Sequence, residues 1–87
     1  MKPLNYAILK YFTTVKEASP VDVYEAIKSE YGSYRMCTVG KIDAAIMTAE
    51  KNGLLEESRY ELDNNGDLVI YYHAVGEGLD AINSFIK

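Results

Sequence analysis

The sequence predicts a mainly α-helical domain with one small β-hairpin, in the order α-α-(β)-α-β-β-α. Apolar residues recur at helical spacing in four separate stretches. Residues 58–74 instead alternate with a period of two around Asn65-Gly66, which is typical of a hairpin. The 87 residues contain no linker, repeat or low-complexity segment. We therefore expect residues 1–87 to form a single domain with one core.

The first predicted helix runs from Lys2 to Val15, with Pro3 tolerated in its first turn. Its apolar face consists of Leu4, Ala7, Ile8, Tyr11, Phe12 and Val15. Tyr6 and Leu9 point away from that face, so the helix has more apolar surface than one core contact needs. Either a second partner covers them or they are exposed singly, as apolar residues commonly are.

The second predicted helix runs from Pro20 to about Tyr31. Ser19 is a favourable N-cap, Pro20 suits the first helical position and a carboxylate follows at the third. Gly32 fits the C-terminal cap. The next residues, 33–37, alternate in polarity and predict a short strand or an extended loop.

The third predicted helix, residues 38–52, lies in the stretch TVGKIDAAIMTAEKNGLLEE. Thr38 is a good N-cap, and Asn52-Gly53 supplies a left-handed exit. The face expected in the core consists of Val39, Ile42, Ile46, Ala49 and Gly53. The opposite face has two small residues between two cations, namely Lys41, Ala44, Thr48 and Lys51. Such a face could enter a groove.

Two strands, 58–62 and 68–74, follow the third helix. Asn-Gly favours a type I′ turn because both central residues need positive φ. Both strands offer apolar residues on each face, so the pattern leaves open which of Tyr71 and Tyr72 is inside. A last helix is predicted from Gly78 to Lys87, with an apolar stripe of Leu79, Ile82, Phe85 and Ile86.

The negative charge of the chain is concentrated after the third helix. The net charge is −4, and residues 56–67 hold five carboxylates against one arginine. Residues 35–53 instead hold three cations against two carboxylates. Because proteins that bind nucleic acids usually have a basic surface, the acidic hairpin weighs against such a partner.

No pattern in the sequence predicts catalysis, a metal or a cofactor. Cys37 is the only cysteine and His73 the only histidine, which excludes an intramolecular disulfide and a Cys/His zinc site. Asp63, Asn65 and Asp67 resemble the start of a calcium loop, but the glycine and the final glutamate of that motif are missing. With no apolar run long enough for a bilayer and no signal peptide, we expect a cytoplasmic protein.

The order of elements is that of a winged helix-turn-helix, in which the third helix recognises a ligand and the hairpin is the wing. Two stretches, TVGKIDAAIMTAEKNGLLEE and YYHAVGEGLDAINSF, carry a family pattern at Thr38, Gly40, Ile42, Ile46, Glu50, Gly53, Leu54, Leu55, Tyr71, Tyr72 and Gly78. With them, the chain from about Ile8 to Phe85 resembles the PadR-like winged-helix transcriptional regulators. Two features depart from the family: Asp43 stands where a tyrosine is common, and the wing lacks cations just before its tyrosines.

The resemblance implies a homodimer that binds double-stranded DNA, with residues 38–52 in the major groove and the wing, 58–74, against the backbone or minor groove. The residues expected near DNA are Tyr34, Arg35, Thr38, Lys41, Ala44, Thr48, Asn64 and Asn65. Those expected in the dimer interface are Tyr6, Leu9, Leu79, Ile82, Phe85 and Ile86. The alternative is a protein–protein interaction module whose acidic wing meets a basic partner. A dimeric domain with no other ligand is a third interpretation.

Overall fold

Four helices and a two-stranded antiparallel sheet make up the chain in a computed structural model that describes residues 1–87. The elements are α1 (Leu4–Tyr11), α2 (Pro20–Tyr31), α3 (Val39–Lys51), β1 (Glu56–Leu62), β2 (Leu68–His73) and α4 (Gly76–Phe85). This is the predicted winged helix-turn-helix order, and the fold class is confirmed. None of the helices is long and apolar enough to cross a bilayer.

Helix α1 is shorter than the sequence predicts, because it ends at Tyr11 rather than at Val15. The hydroxyls of Thr13 and Thr14 each donate a 2.7 Å bond to the carbonyl three residues earlier. The backbone N–H groups of the same threonines also bond three residues back. Threonine hydroxyls compete for helical carbonyls in this way, so the chain tightens and leaves the α-helical path.

Helix α2 has the predicted bounds and a complete capping box. The Ser19 hydroxyl accepts from the N–H of Asp22 at 3.2 Å, and the Asp22 carboxylate accepts from the N–H of Ser19 at 3.0 Å. At the other end, a Cβ on Gly32 would lie 2.5 Å from the carbonyl oxygen of Lys28. Glycine is therefore needed there for close approach, and its φ is an ordinary −59°.

The optional strand predicted at 33–37 is absent, because two consecutive turns close this segment. The N–H of Tyr34 bonds the carbonyl of Tyr31, and the N–H of Cys37 bonds the carbonyl of Tyr34, each at 2.9 Å. The extra sheet contact lies before α2 instead. Ala18 and Tyr72 exchange two backbone bonds of 3.0 and 2.9 Å, which attach the connector between α1 and α2 to β2.

Helix α3 begins and ends as predicted. The hydroxyl of Thr38 accepts from the N–H of Lys41 at 3.2 Å, and Gly53 has a φ of 79°. Of the expected core face, Ile42, Ile46 and Ala49 are buried. Val39 is wrong as a core residue: it is 37% exposed, because the first turn of α3 extends past its neighbours and lines an open cleft beside the wing.

The hairpin register places Tyr72 inside and Tyr71 outside. Leu62 pairs with Leu68, Tyr60 with Ile70 and Arg59 with Tyr71. Ser58 is the extra residue of a β-bulge, after which Glu57 pairs with Tyr72. Tyr72 is 3% exposed and belongs to the core.

The turn of the hairpin is not the predicted type I′ turn. Gly66 has a φ of 80°, but Asn65 has no positive φ. The N–H of Gly66 bonds the carbonyl of Asp63 at 3.0 Å, so Asn64 and Asn65 are the central residues of that turn. The N–H of Asp63 bonds the carbonyl of Asp67, which closes a longer loop than the two-residue turn expected from Asn-Gly.

Helix α4 starts two residues before the predicted Gly78 and completes the core. Ile82 and Ile86 are buried, whereas Leu79 is half-buried and Phe85 is 78% exposed. The core consists of Ile8, Phe12, Ala18, Val23, Ile27, Tyr31, Cys37, Ile42, Ile46, Ala49, Leu55, Tyr72, Ala74, Ile82 and Ile86. All four helices and the wing contribute to it.

Candidate nucleic-acid interface

The solvent face of α3 is a narrow polar strip, defined here as Lys41, Ala44, Thr48 and Lys51. All four side chains are exposed. Neither lysine forms an ion pair, so both ammonium groups are available to a ligand. The hydroxyl of Thr48 donates to the carbonyl of Ala44 at 3.0 Å, which leaves its oxygen free to accept a bond. Because Ala44 and Thr48 are small, a ligand can approach the backbone of α3 closely.

The flank of α3 that faces the wing is acidic. Asp43 lines a cavity together with Leu68 and Ile70 of β2, and Glu50 lies on the same side of α3. Burial raises the pKa of Tyr72, and the charges of Glu50, Asp43 and Glu57 raise the pKa further. Asp43 and Lys41 are about 160° apart around the helix axis. The cations and carboxylates of α3 therefore belong to different sides of the same helix.

Three predicted contact residues lie at the entrance to α3. The ring of Tyr34 is exposed and packs edge-on against Tyr31, with 5.4 Å between the ring centroids. Arg35 is exposed and forms no ion pair. The Thr38 oxygen already accepts the N–H of Lys41, so its first role is to start the helix. This entrance adds one free cation to the two lysines of the strip.

Asn64 and Asn65 lie at the exposed tip of the wing, in a turn that Asp63 organises. One carboxylate oxygen of Asp63 accepts from the N–H groups of Asn65 and Asp67, at 2.8 and 2.9 Å. Asp63 is thus a structural residue of the turn. No lysine or arginine lies in the loop 63–67, so any contact from the tip to a phosphate depends on amide groups.

Arg59, the only arginine of the wing, is already bound within the chain. Its side chain donates to Glu17 at 2.7 Å and to Glu61 at 2.9 Å. Its guanidinium carbon also lies 3.9 Å from the ring centroid of Tyr71. Hydrogen bonds from Tyr71 and Arg59 lower the pKa of Glu61. Arg59 therefore stabilises the outer face of the wing and is not a free cation.

The inner face of the wing carries exposed apolar residues that the sequence analysis did not single out. Tyr60, Leu62 and Leu68 are 68%, 66% and 59% exposed. They follow the alternation that places Ile70 and Tyr72 on the core side, because paired residues share a face. The sequence shows that apolar residues alternate along both strands, but only the observed register shows that these three lie on the same face as Tyr72.

Five of the six residues expected to form a dimer interface surround a groove between α1 and α4. An open cavity of about 280 Å³ is lined by Tyr6, Leu9, Leu54, Ala81, Ile82, Phe85 and Ile86, all apolar. Ile82 and Ile86 form its buried floor, whereas Tyr6 and Phe85 are exposed. Lys10 joins the two helices by donating to the side chain of Asn83 and to the carbonyl of Ile86, both at 3.0 Å. Leu79 does not line the cavity.

This architecture matches solved structures of known regulators. It is similar to that of Bacillus subtilis PadR in complex with operator DNA, with a TM-score of 0.74 and 20% identity. The match covers 94% of this chain and 45% of PadR. The chain has the winged-helix fold of PadR. A PadR-like transcriptional regulator from Bacillus cereus matches with a TM-score of 0.69 and 20% identity, over 94% of this chain and 76% of the other.

The likeness to PadR is one of fold. This chain spans less than half the length of PadR. No protein-family model and no curated protein matches the sequence.

Proposed function

We propose that this protein is a DNA-binding transcriptional regulator that acts as a homodimer. Residues 38–52 form its recognition helix and residues 58–74 its wing. The observation that supports this most directly is the strip on α3, which offers two unpaired lysines around two small residues on a winged-helix fold. The structural neighbour solved with operator DNA has the same fold.

In this proposal the polar strip enters the major groove. Ala44 and Thr48 approach base edges, while Lys41 neutralises a phosphate at one side of the groove. Tyr34, Arg35 and the N-terminal end at Thr38 contact the adjacent backbone. Asn64 and Asn65 reach the sugar–phosphate chain by hydrogen bonds alone. With so few free cations, we expect a weak salt dependence compared with regulators that have a basic wing.

The dimer in this proposal forms through the groove between α1 and α4. Phe85 is 78% exposed and stands beside a cavity lined only by apolar residues. Exposed apolar surface of this kind favours burial against a second copy. A two-fold dimer would present two α3 helices to two half-sites, which matches the symmetry of a palindromic operator. Leu79 would lie at the edge of this interface.

The proposal assigns the protein no catalytic activity and no cofactor. It places the protein with its DNA in the cytoplasm. The described residues contain no group of three or more histidine, cysteine or acidic side chains that could hold a metal. The wing is acidic and would repel DNA. Because the cations and carboxylates of α3 lie on different sides of the helix, the polar strip can contact DNA while Asp43 faces away from it.

Fluorescence anisotropy of labelled duplex DNA tests this function. The DNA should be a pool of duplexes that includes the region upstream of the protein's own gene, titrated from low to physiological salt. We expect binding that weakens as salt rises. Lys41→Ala should weaken it further and should lower the slope of log affinity against log salt by about 1.

Lys16→Ala is the matched control, because it removes one exposed lysine from the connector between α1 and α2. It should leave the slope of the salt dependence unchanged. Equal losses in Lys41→Ala and Lys16→Ala would mean that binding reflects net charge alone, without a defined interface. No binding at the lowest salt would overturn the proposal.

A further inference from the structure

A second surface lies between the wing and the starts of α2 and α3, and we call it the wing cleft. It is an open cavity of about 260 Å³. The side chains used to define it are Val21, Val39, Asp43, Leu68 and Ile70. Tyr60 and Leu62 extend its apolar wall, because they pair with Ile70 and Leu68 across the hairpin.

The apolar part of the wing cleft is unusually exposed. Leu62 and Leu68 form the last pair of the hairpin, and more than half of each residue is exposed. Val21 is 52% exposed on the opposite side. Charged residues usually protect an exposed hairpin from unwanted association, whereas exposed leucines at its end favour association. A contiguous apolar wall of this kind is typical of a protein contact surface.

One carboxylate in the wing cleft and one beside it form no ion pair in the chain. Asp43 lines the cleft, whereas Asp67 lies in the exposed turn beside it, directly before Leu68. Neither forms an ion pair, and the only arginine of the wing is held on the other face by Glu17 and Glu61. The surface therefore combines apolar contacts with unneutralised negative charge.

The apolar wall and the negative charge of the wing cleft together indicate which kind of ligand it can bind. A phosphate backbone would meet carboxylates without cations and would gain nothing from Leu62 or Leu68. A second copy of this chain has a net charge of −4 and would add to the repulsion. A segment with apolar side chains flanked by lysine or arginine would bury the leucines and neutralise Asp43 and Asp67.

We propose that the wing cleft binds a basic, partly apolar segment of another protein. This surface is distinct from the polar strip, since Asp43 and Lys41 are on different sides of α3. The protein can therefore have a protein partner whether or not α3 binds DNA. The carboxylates align the segment, and Leu62 and Leu68 supply the apolar contact.

A labelled peptide of alternating leucine and lysine is a suitable probe, titrated with the full chain and followed by anisotropy. We expect saturable binding that weakens with salt. A peptide with glutamate in place of lysine should bind at least tenfold more weakly. Leu62→Ser combined with Leu68→Ser should also reduce the affinity for the leucine–lysine peptide at least tenfold, without a change in circular dichroism, because both side chains are exposed.

Met36→Ser is the matched control for the loss of an exposed apolar side chain, since Met36 is 54% exposed outside the wing cleft. Asp43→Asn should reduce the salt dependence of peptide binding, whereas Glu30→Gln on α2 should not. Equal binding of the two peptides would overturn the proposal, as would unchanged affinity in the double leucine variant. If that variant lost affinity for duplex DNA and kept its affinity for the peptide, the wing cleft would belong to the DNA interface instead.

Discussion

The guanidinium of Arg59 lies 3.9 Å from the ring centroid of Tyr71, and the hydroxyl of Tyr71 donates to Glu61 at 2.8 Å. This outer arrangement fixes which of two adjacent tyrosines faces the core. Tyr71 is held against charged side chains at the surface, so the alternation of the strand directs Tyr72 inward. The β-bulge at Ser58 shifts the register, so that Arg59 pairs with Tyr71 and Glu57 pairs with Tyr72.

Truncation of the two tyrosines should therefore have unequal effects. Tyr72→Ala removes a side chain that is 3% exposed and should lower the free energy of unfolding by about 3–5 kcal/mol. Tyr71→Ala removes a surface stacking contact and should cost about 1 kcal/mol or less. Urea unfolding followed by circular dichroism measures both values. Similar losses for the two variants would contradict the observed register.

Glu17 should stabilise the protein in a pH-dependent way. Hydrogen bonds from Ser58 and Arg59 lower the pKa of Glu17 below its ordinary value of 4.5. A lowered pKa in the folded state means that the contribution is fully present above pH 4.5 and is lost as the pH falls through the folded value. Glu17→Gln should thus lower the melting temperature at neutral pH, and the difference from the unsubstituted protein should shrink on acidification.

Thermal unfolding between neutral pH and about pH 3 checks this expectation. Glu30→Gln serves as its control, because Glu30 is exposed and forms no ion pair. A Glu17→Gln effect that stayed constant across the range would show that the carboxylate does not stabilise the wing through its charge.

Two glycines in helices should respond in opposite directions to alanine. A Cβ on Gly78 would lie 2.6 Å from the carbonyl oxygen of Leu54 and 2.9 Å from that of Gly53. Because both are backbone atoms, Gly78→Ala should lower the free energy of unfolding by about 1–3 kcal/mol. Nothing lies within 4 Å of the corresponding position on Gly40. Gly40→Ala should raise stability by up to about 1 kcal/mol through helix propensity. Chemical denaturation of the two variants distinguishes these outcomes.

The groove between α1 and α4 should determine the oligomeric state. Phe85→Asp places a charge on the most exposed apolar side chain of that groove, and it should convert a two-chain species into a single chain. Leu9→Asp should act in the same direction. Sedimentation equilibrium gives the mass. Tyr60→Asp, on the wing, is the control and should leave the mass unchanged; a common mass for all these variants and the parent chain would locate the interface elsewhere or exclude it.

Local signals predicted most of the helical framework. Ser19-Pro20 and Asp22 place the start of α2 by themselves, because the cap requires only neighbouring residues. Thr38 and Gly53 bound α3 for the same reason. The end of α1 was misplaced because the apolar spacing continues to Val15 while Thr13 and Thr14 bond to carbonyls of the last turn.

The non-local features could not be read from the chain. The Asn65-Gly66 pair predicted a hairpin correctly, but its turn type was wrong because Asp63 binds two amides and favours a longer loop. Residues 33–37 were predicted to be a short strand or an extended loop and contain no strand, whereas a bridge to the sheet forms at Ala18, because only tertiary packing brings the connector before α2 beside Tyr72. The candidate sites differ in the same way. The polar strip on α3 can be predicted from helical spacing alone, whereas the wing cleft can be located only once the register of the hairpin is known.

The mutual backbone bonds of Ala18 and Tyr72 divide the wing into two mechanical parts. At its root the hairpin is attached by these two bonds to the connector that leads into α2. From Tyr60 to Leu68 every side chain is exposed, and the two strands are held mainly by their own pairing. Amide protons at the root should exchange with solvent only when the whole domain opens, and those of the outer half through local fraying. The turn at residues 63–67 is therefore the part of the wing that depends least on the helices for its position.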